Sequence, residues 1–578
     1  MSVVSDKKYR TEIDGLRAFA VISVVIFHFG YAPNGFLGVD VFFVISGYLI
    51  TGIIYNKILS DDFSLVSFYV RRIKRIIPLT SFISLTALVL GVIFMLPDDL
   101  ENLAQSVIAT NFFNNNTLQI LTTKDYWDVI NEFKPLMHTW SLAIEEQFYF
   151  IYPFIFLLFS KFSKKTLLIV LALLTIISIF IFLAPFEQYY KFYLLPFRFF
   201  ELSIGGIFAI VFNGKTIKHK YSFLLVSLLI IILFSQFHMP YENILLLFTV
   251  LLTCTLLVTD YSNKGFSSIL LKNKVASFIG KISFSIYMWH QLILAFTRYL
   301  VVQEVELAGY IFIFILTILL SILTYYFIET PFRYKIPTKQ VIFILIFYYV
   351  ISTGISYKIH SQNGILKDVP ELDLFVGINN DSHSNYNHSI YNLDKKFSSN
   401  NKIKILVVGN SFARDWCNIL LESKFKNSIE VSYIFDPLQN PLFFERSKSA
   451  DLIFFSTYSM EQFKKLNISL DKVYCLGTKN FGSNSGYFYN YTGDDYCMQR
   501  TKINKSYLDL NSKLKDEWQN KFIDLVDLII DENSTVPIFN ENCKFISQDT
   551  RHLTKHGAIF YAKIISNDSI LKKIILNK

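Results

Sequence analysis

Charge is scarce in this chain. Only 17% of its 578 residues are Asp, Glu, Lys or Arg, well under the roughly 25% usual in soluble domains. An ordinary soluble globular protein is therefore excluded, and 52% hydrophobic residues with a mean hydropathy of +0.38 agree. Cysteine is scarce too: five residues, none in a CxxC pair, and the histidines lack ligand spacing, so no metal is expected. No long block of one charge sign occurs. The formal net charge is +9, but Lys and Arg lie in short segments between apolar runs, which is a topology pattern and leaves no nucleic-acid partner to expect. There is no internal repeat and no pair of Gly/Pro-broken spans, which weighs against an ion-coupled carrier. The first apolar run carries Arg17 and no small-residue cleavage site, so no cleavable signal peptide is expected.

Long hydrophobic runs are abundant. They centre on residues 15–31, 38–56, 78–96, 138–160, 166–184, 197–212, 221–237, 242–259, 281–300, 307–327 and 340–357, which predicts about eleven transmembrane helices. Basic residues crowd alternate connections: the N-terminus, "RRIKR" at Arg71–Arg75, "KFSKK", "NGKTIKHK", the segment from Lys264 to Lys281, and "FRYKIPTK". The intervening loops hold only Lys124, Lys134 and Lys191. The positive-inside rule then puts the N-terminus in the cytoplasm and everything after the last span outside. Four cysteines, Cys417, Cys475, Cys497 and Cys543, fall in that outer third, where disulfides are permitted; Cys254 lies in an apolar run.

Residues 358–401 are rich in Asn, Ser and His and read as a polar linker. From Lys402 the pattern turns globular. "KIKILVVGNS" is a buried strand entering a Gly turn, and "DLIFFST" and "KVYCLGT" are further strands of a parallel sheet. The fold class expected is thus a polytopic α-helical membrane domain followed by a periplasmic α/β domain. The expected boundaries are 1–335 for ten spans, 336–401 for an eleventh span and linker, and 402–578 for the α/β domain.

Ionisable groups inside a membrane are costly enough to be functional candidates. Arg17 and the Arg71–Arg75 cluster lie at the expected cytoplasmic face. His28, Asp40, His138, Glu145, Glu201 and His290 lie in the interior or outer half of their spans. Eleven residues of helix make about three turns and roughly 16 Å, so Arg17 and His28 share a face. The plainer readings are that "RRIKR" marks topology and that Arg198 with Glu201, three apart, is a structural ion pair.

Six ordered motifs carry a resemblance: "YRTEIDGLRAFAVISVVIFH", "GFLGVDVFFVISGYLIT", "RRIKRIIP", "HTWSLAIEEQFYFIYP", "ISFSIYMWH" and "YYFIETPFR". Over residues 9 to about 335 the chain resembles the acyltransferase-3 family of bacterial membrane O-acyltransferases, which modify O-antigen and other envelope glycans. The resemblance implies acetyl-CoA as cytoplasmic donor and a glycan hydroxyl (lipopolysaccharide or peptidoglycan) as acceptor in the inner membrane. It also implies Arg17, Arg72 and Arg75 as acetyl-CoA anchors and His28 as the catalytic base. Guanidinium groups suit the CoA phosphates, and 16 Å is about the length of a pantetheine arm. A near-neutral imidazole suits base catalysis on a hydroxyl. Asp14, His138, Glu145 and Glu329 are expected to support that site, and spacing does not choose between Glu145 and Glu329 as the orienting group.

In the outer domain Ser411 sits where the first strand turns into a helix, a usual ligand position in α/β sheets. Near the C-terminus, "QDTRHLTKHG" places Asp549 three residues before His552, an orienter and base to go with a distant serine. This order resembles the SGNH hydrolase and acetyltransferase family and implies a Ser411–His552–Asp549 triad, with His556 as an alternative base. Two features depart from that family: Asn410 stands where Asp is usual, and no second-block glycine is evident in "DLIFFSTYS". The oxyanion block is best matched by Gly477 and Asn480 in "GTKNFG", with one residue too many between them. Cys475 with Cys497 is the expected disulfide, since the two bracket that loop. Taken together the sequence predicts a two-part O-acetyltransferase. The alternatives are a transporter with an accessory esterase domain, or a membrane-tethered glycan O-acetylesterase. Tyr126 and Trp127 are candidate sugar-stacking groups.

Overall fold

A computed structural model of the chain describes residues 9–123, 133–159, 163–218, 220–236, 242–261, 265–301, 305–378, 383–399 and 401–567, so Tyr126 and Trp127 lie outside the described residues. Two compact units are present. One comprises Met1–Gly91, Asn102–Arg298 and Glu304–Lys358; the other comprises Val92–Glu101, Tyr299–Gln303 and Ile359–Lys578.

The first unit is built of helices. The apolar runs fall on Thr11–His28, Gly38–Leu59, Leu65–Phe94, Thr139–Phe159, Lys164–Leu183, Leu195–Phe212, Ser222–Phe234, Glu242–Val258, Ser283–Leu300, Leu307–Thr324 and Thr338–Ser361. Among the described residues seven helices are long and apolar enough to cross a membrane, and two apolar helices are shorter. Thr11–His28 and Ser283–Leu300 belong to neither group, because they carry Asp14, Arg17 and His28, or His290, Gln291 and Arg298. Large apolar side chains point outward, Phe180 being 74% and Phe343 73% exposed. That surface suits lipid, and this is a membrane protein.

Its interior is tight. A Cβ on Gly47 would lie 1.8 Å from the Leu202 carbonyl oxygen, and one on Gly205 would lie 2.3 Å from that of Val44. The helices Gly38–Leu59 and Leu195–Phe212 therefore pack backbone against backbone, as small residues allow in membranes. This contact brings Arg198 to Asp40 at 2.8 Å, while Glu201 follows at 3.1 Å on Arg198's own helix. The i,i+3 pair is thus present within a larger buried group that includes Asp40, which local spacing does not reveal.

The second unit is layered. Its strands are β1 (Ile403–Val408), β2 (Ile429–Ile434), β3 (Leu452–Ser456), β4 (Val473–Leu476), β5 (Arg500–Lys502), β6 (Phe522–Ile523) and β7 (Thr535–Pro537). Five form a parallel sheet in the order β2-β1-β3-β4-β6, and β5 pairs antiparallel with β7. Ile405 and Val407 of β1 pack on one side with Trp416, Leu420 and Tyr561. Leu406 and Val408 pack on the other with Phe443, Phe463 and Trp518. Burial on both faces explains why β1 reads as one continuous apolar run. The strand order reverses between β1 and β3, which opens a crevice at the carboxyl ends of those strands.

Two expectations need correcting. The polar stretch after residue 358 is more than a linker: it forms a bridge between Val369 and Leu374 and short helical turns at His383–His388 and Ser389–Leu393. A few apolar residues suffice to anchor it, since Ile390 enters the sheet's core and Asp394 is paired with the buried Arg446. The disulfide joins Cys497 to Cys543, with Cα atoms 5.0 Å apart, and not Cys475 to Cys497. Cys475 is on a central strand with its side chain fully buried, and Cys417 is buried in the helix after β1, so both stay free.

Candidate functional site

The crevice of the α/β unit holds Ser411. Gly409 ends β1 with φ +130°, and a Cβ there would meet Ser456 at 3.3 Å, so the turn requires glycine. Asn410 caps the helix Ser411–Glu422 by accepting the Phe412 N–H at 3.1 Å. Its amide nitrogen donates to Thr457 Oγ1 at 3.2 Å, which a carboxylate in that place could not do. Thr457, at the end of β3, has φ +58°. Thr457 is thus a threonine held in a backbone conformation that favours glycine.

Ser411 Oγ is 2.7 Å from His552 Nε2, and His552 Nδ1 is 2.5 Å from Asp549 Oδ2. Asp549 Oδ1 also accepts the backbone N–H groups of Arg551 and His552, at 3.0 and 2.7 Å. One carboxylate therefore fixes both the ring and the backbone of His552. With Nδ1–H given to Asp549, Nε2 is left to accept the serine proton. His556 is 2.7 Å from Asp373, so its ring is engaged elsewhere.

The expected oxyanion donors are engaged within the protein. The Gly477 N–H donates to the Ile523 carbonyl at 2.9 Å. The Asn480 amide nitrogen donates to the carbonyls of Gly482 and Thr550, at 2.9 and 3.4 Å, which uses both of its hydrogens. The extra residue in "GTKNFG" explains the difference. It lets Lys479 turn inward, fully buried, to meet Asp415 at 2.5 Å and to lie 4.3 Å above the Phe412 ring. Asp415, four residues after Ser411, also accepts the Leu553 N–H at 3.0 Å. Asp415 thus ties the helix that begins at Ser411 to the residue after His552, and motif reading missed its pair with Lys479.

Burial pulls the Lys479 ammonium below its usual range against the attraction of Asp415. Burial pushes Asp415 up, but the charges of Lys479, Arg414 and His552 outweigh it and hold the carboxyl below the ordinary value. Lys479→Met is expected to destabilise the α/β unit by about 3–5 kcal/mol, because it strands a buried carboxylate. The check is the unfolding midpoint of that unit in the full chain, which Asp415→Asn added to Lys479→Met should partly restore. An unchanged midpoint in Lys479→Met would show the pair to be dispensable.

The helical unit gathers the other candidates. Arg17, Arg72 and Arg75 line one cavity of about 170 Å³, together with Ser46, Ser141, Glu145, Tyr149 and Tyr287. Arg72 Nε is buried without a hydrogen-bond partner. Glu145 accepts from Ser46 at 2.8 Å and from Tyr149 at 3.1 Å. Asp14 is 3.9 Å from Arg17 and accepts from Tyr9 at 2.7 Å. Glu329 lies in a π-helical turn, Tyr325–Glu329, and accepts from Ser285; Glu145, not Glu329, is the carboxylate on the cavity wall. His28 Nδ1 donates to the Val24 carbonyl at 2.8 Å. The His28 ring is 5.1 Å from that of His290, which is 5.5 Å from that of His138.

A helical membrane unit with a guanidinium-lined cavity, joined to an α/β unit with a serine-histidine-aspartate array, defines a protein equipped for acyl chemistry. Residues 10–326 match the family described as "Acyltransferase domain", and the chain belongs to this acyltransferase-3 family. It is 34% identical over 350 residues to the peptidoglycan O-acetyltransferase OatA of Listeria monocytogenes, covering 57% of this chain and 56% of that protein. It is 33% identical over 363 residues to the O-acetyltransferase OatA of Staphylococcus aureus strain NCTC 8325, covering 57% and 58% respectively. The chain thus spans little more than half the length of these curated relatives. No solved structure matches it.

Proposed function

We propose that the chain is an O-acetyltransferase that takes acetyl from cytoplasmic acetyl-CoA and delivers it to a hydroxyl of a cell-envelope glycan, by way of Ser411. The observation that carries this reading is the convergence of Arg17, Arg72 and Arg75 on one cavity whose wall includes one carboxylate, Glu145. Three cations and a buried donor without a partner suit a polyanion such as the CoA phosphates. His28 then serves as base at the thioester end. The name of the Listeria monocytogenes relative favours peptidoglycan among the envelope glycans.

The alternation of basic loops supports eleven spans, a cytoplasmic N-terminus and a periplasmic α/β unit of SGNH type, in the inner membrane of a bacterium. In that unit the Ser411 hydroxyl attacks the carbonyl carbon of the incoming acetyl ester, its proton passes to His552 Nε2, and Asp549 stabilises the imidazolium; the ester's C–O bond to the carrier alcohol breaks, and that alcohol leaves with the proton from His552. The Ser411 N–H, at the start of its helix, supplies one oxyanion donor. In a second attack the glycan hydroxyl gives its proton to His552 Nε2 as its oxygen bonds to the acetyl carbon, the acetyl-serine C–O bond breaks, and His552 passes that proton to Ser411 Oγ.

The test is consumption of acetyl-CoA by the purified full chain, which a transporter or a tethered esterase would not show. Arg72→Ala and Arg75→Ala should each weaken acetyl-CoA binding by about 10- to 100-fold, the usual worth of a hydrogen bond to a charged group. Titration calorimetry measures this directly. Unchanged affinity would reduce "RRIKR" to a topology signal.

A further inference from the structure

Three imidazoles meet beside the arginine cavity. His28 and His290 each donate from Nδ1 to a backbone carbonyl, that of Val24 at 2.8 Å and that of Tyr287 at 2.6 Å. Those bonds fix the neutral tautomer, so Nε2 of each ring carries a lone pair. His290 is fully buried, and its Nε2 has no partner. His138 is 2% exposed, and neither of its ring nitrogens has a partner. Buried polar atoms are almost always paired, and leaving one orphaned is expensive. Three orphans on two touching rings mark the place of something that binds there.

The unused bonding capacity identifies its chemistry. His28 and His290 offer acceptors, and a neutral His138 offers one donor and one acceptor. An anion brings only acceptors and finds one donor. A hydroxyl brings both a donor and an acceptor and is matched. Among the described residues no such group is placed to hold a metal ion. The position fits as well. Tyr287 lines the arginine cavity, while its ring lies 5.2 Å from His138 and 5.4 Å from His290. Its hydroxyl is pinned by Ser141 at 2.6 Å and by the His138 carbonyl at 2.9 Å.

We infer that His138 and His290, facing His28, form a binding site for the alcohol that first receives the acetyl group, next to the cavity proposed to hold the CoA thioester. The inference rests on the acetyl-transfer reading for its reaction but not for its ligand. In the step, the alcohol O–H proton passes to His28 Nε2 as the alcohol oxygen bonds to the thioester carbon. The C–S bond breaks, and the CoA thiolate takes up that proton to leave as the thiol. His138 and His290 hold the alcohol and exchange no proton with it.

The test uses the full chain carrying Ser411→Ala, so that an added alcohol cannot take acetyl from the outer serine, and glycerol as the probe. With ring-¹⁵N histidine, saturable glycerol-dependent shifts are expected at His138 and His290, with or without acetyl-CoA. With labelled acetyl-CoA, the ratio of acetylglycerol to acetate should fall at least about tenfold in His138→Leu and in His290→Leu, while acetyl-CoA affinity stays unchanged. His290→Gln, which keeps an acceptor oxygen near Nε2, should recover part of that ratio. Shifts without any acetyl-CoA turnover would support the alcohol site and refute the acetyl-transfer reading. Turnover with no shift at either ring, or an unaltered product ratio in both leucine variants, would overturn the alcohol site and leave that reading standing.

Discussion

Ser411→Ala should abolish acetylation of the final glycan while leaving acetyl-CoA binding intact. The substitution removes only Oγ, the atom 2.7 Å from His552 Nε2, and leaves the Asn410 cap and the fully buried Phe412 and Trp416 side chains in place. Loss of a nucleophile that acts as a unit with its base typically lowers turnover on the order of 10⁵- to 10⁶-fold. Glycan acetylation is measured as ester release from isolated cell envelopes at matched expression. Wild-type levels without Ser411 would mean that the helical unit acetylates the glycan directly, and the α/β unit would then be an accessory.

His28→Ala should be nearly as severe, with a different signature. The substitution removes a ring 5.1 Å from that of His290 and one hydrogen bond to the Val24 carbonyl. The three arginines that line the cavity are untouched. Affinity for acetyl-CoA should therefore hold while transfer falls by about 10²- to 10⁴-fold, the usual worth of a general base. Because the proposed relay puts His28 upstream of Ser411, the variant should also lose CoA release, which Ser411→Ala need not lose. A parallel fall in acetyl-CoA affinity would move His28 from chemistry to structure.

Much of this was legible in the sequence, because the relevant signals are local. A span length, an Arg-to-His spacing along one helix, a strand ending in Gly409 and an Asp549-x-x-His552 turn each lie within a few turns of chain. What escaped depends on contacts between distant segments. The Asp415–Lys479 pair joins residues on either side of three strands, and its only trace was the one surplus residue in "GTKNFG". Gly477 and Asn480 were the best match to an oxyanion block despite one residue too many between them, and their hydrogen bonds are spent within the protein. Thr457 adopts a backbone conformation that its residue type does not advertise. The disulfide escaped for a related reason: a cysteine's place in the polar third says nothing of whether its side chain points into a sheet, as that of Cys475 does. His138 and His290 were visible as ionisable groups in apolar runs, but their meeting with His28 brings together two helices and the turn before a third.

The proposed relay is tested most directly by mass spectrometry of the full chain, kept in membranes that retain the alcohol first acetylated, after exposure to acetyl-CoA with no glycan acceptor. Wild-type protein should carry one acetyl ester, on Ser411, and His28→Ala protein treated identically should carry none. Ser411 acetylated equally in both proteins, or bare in a wild-type protein that consumes acetyl-CoA and acetylates glycan, would contradict it.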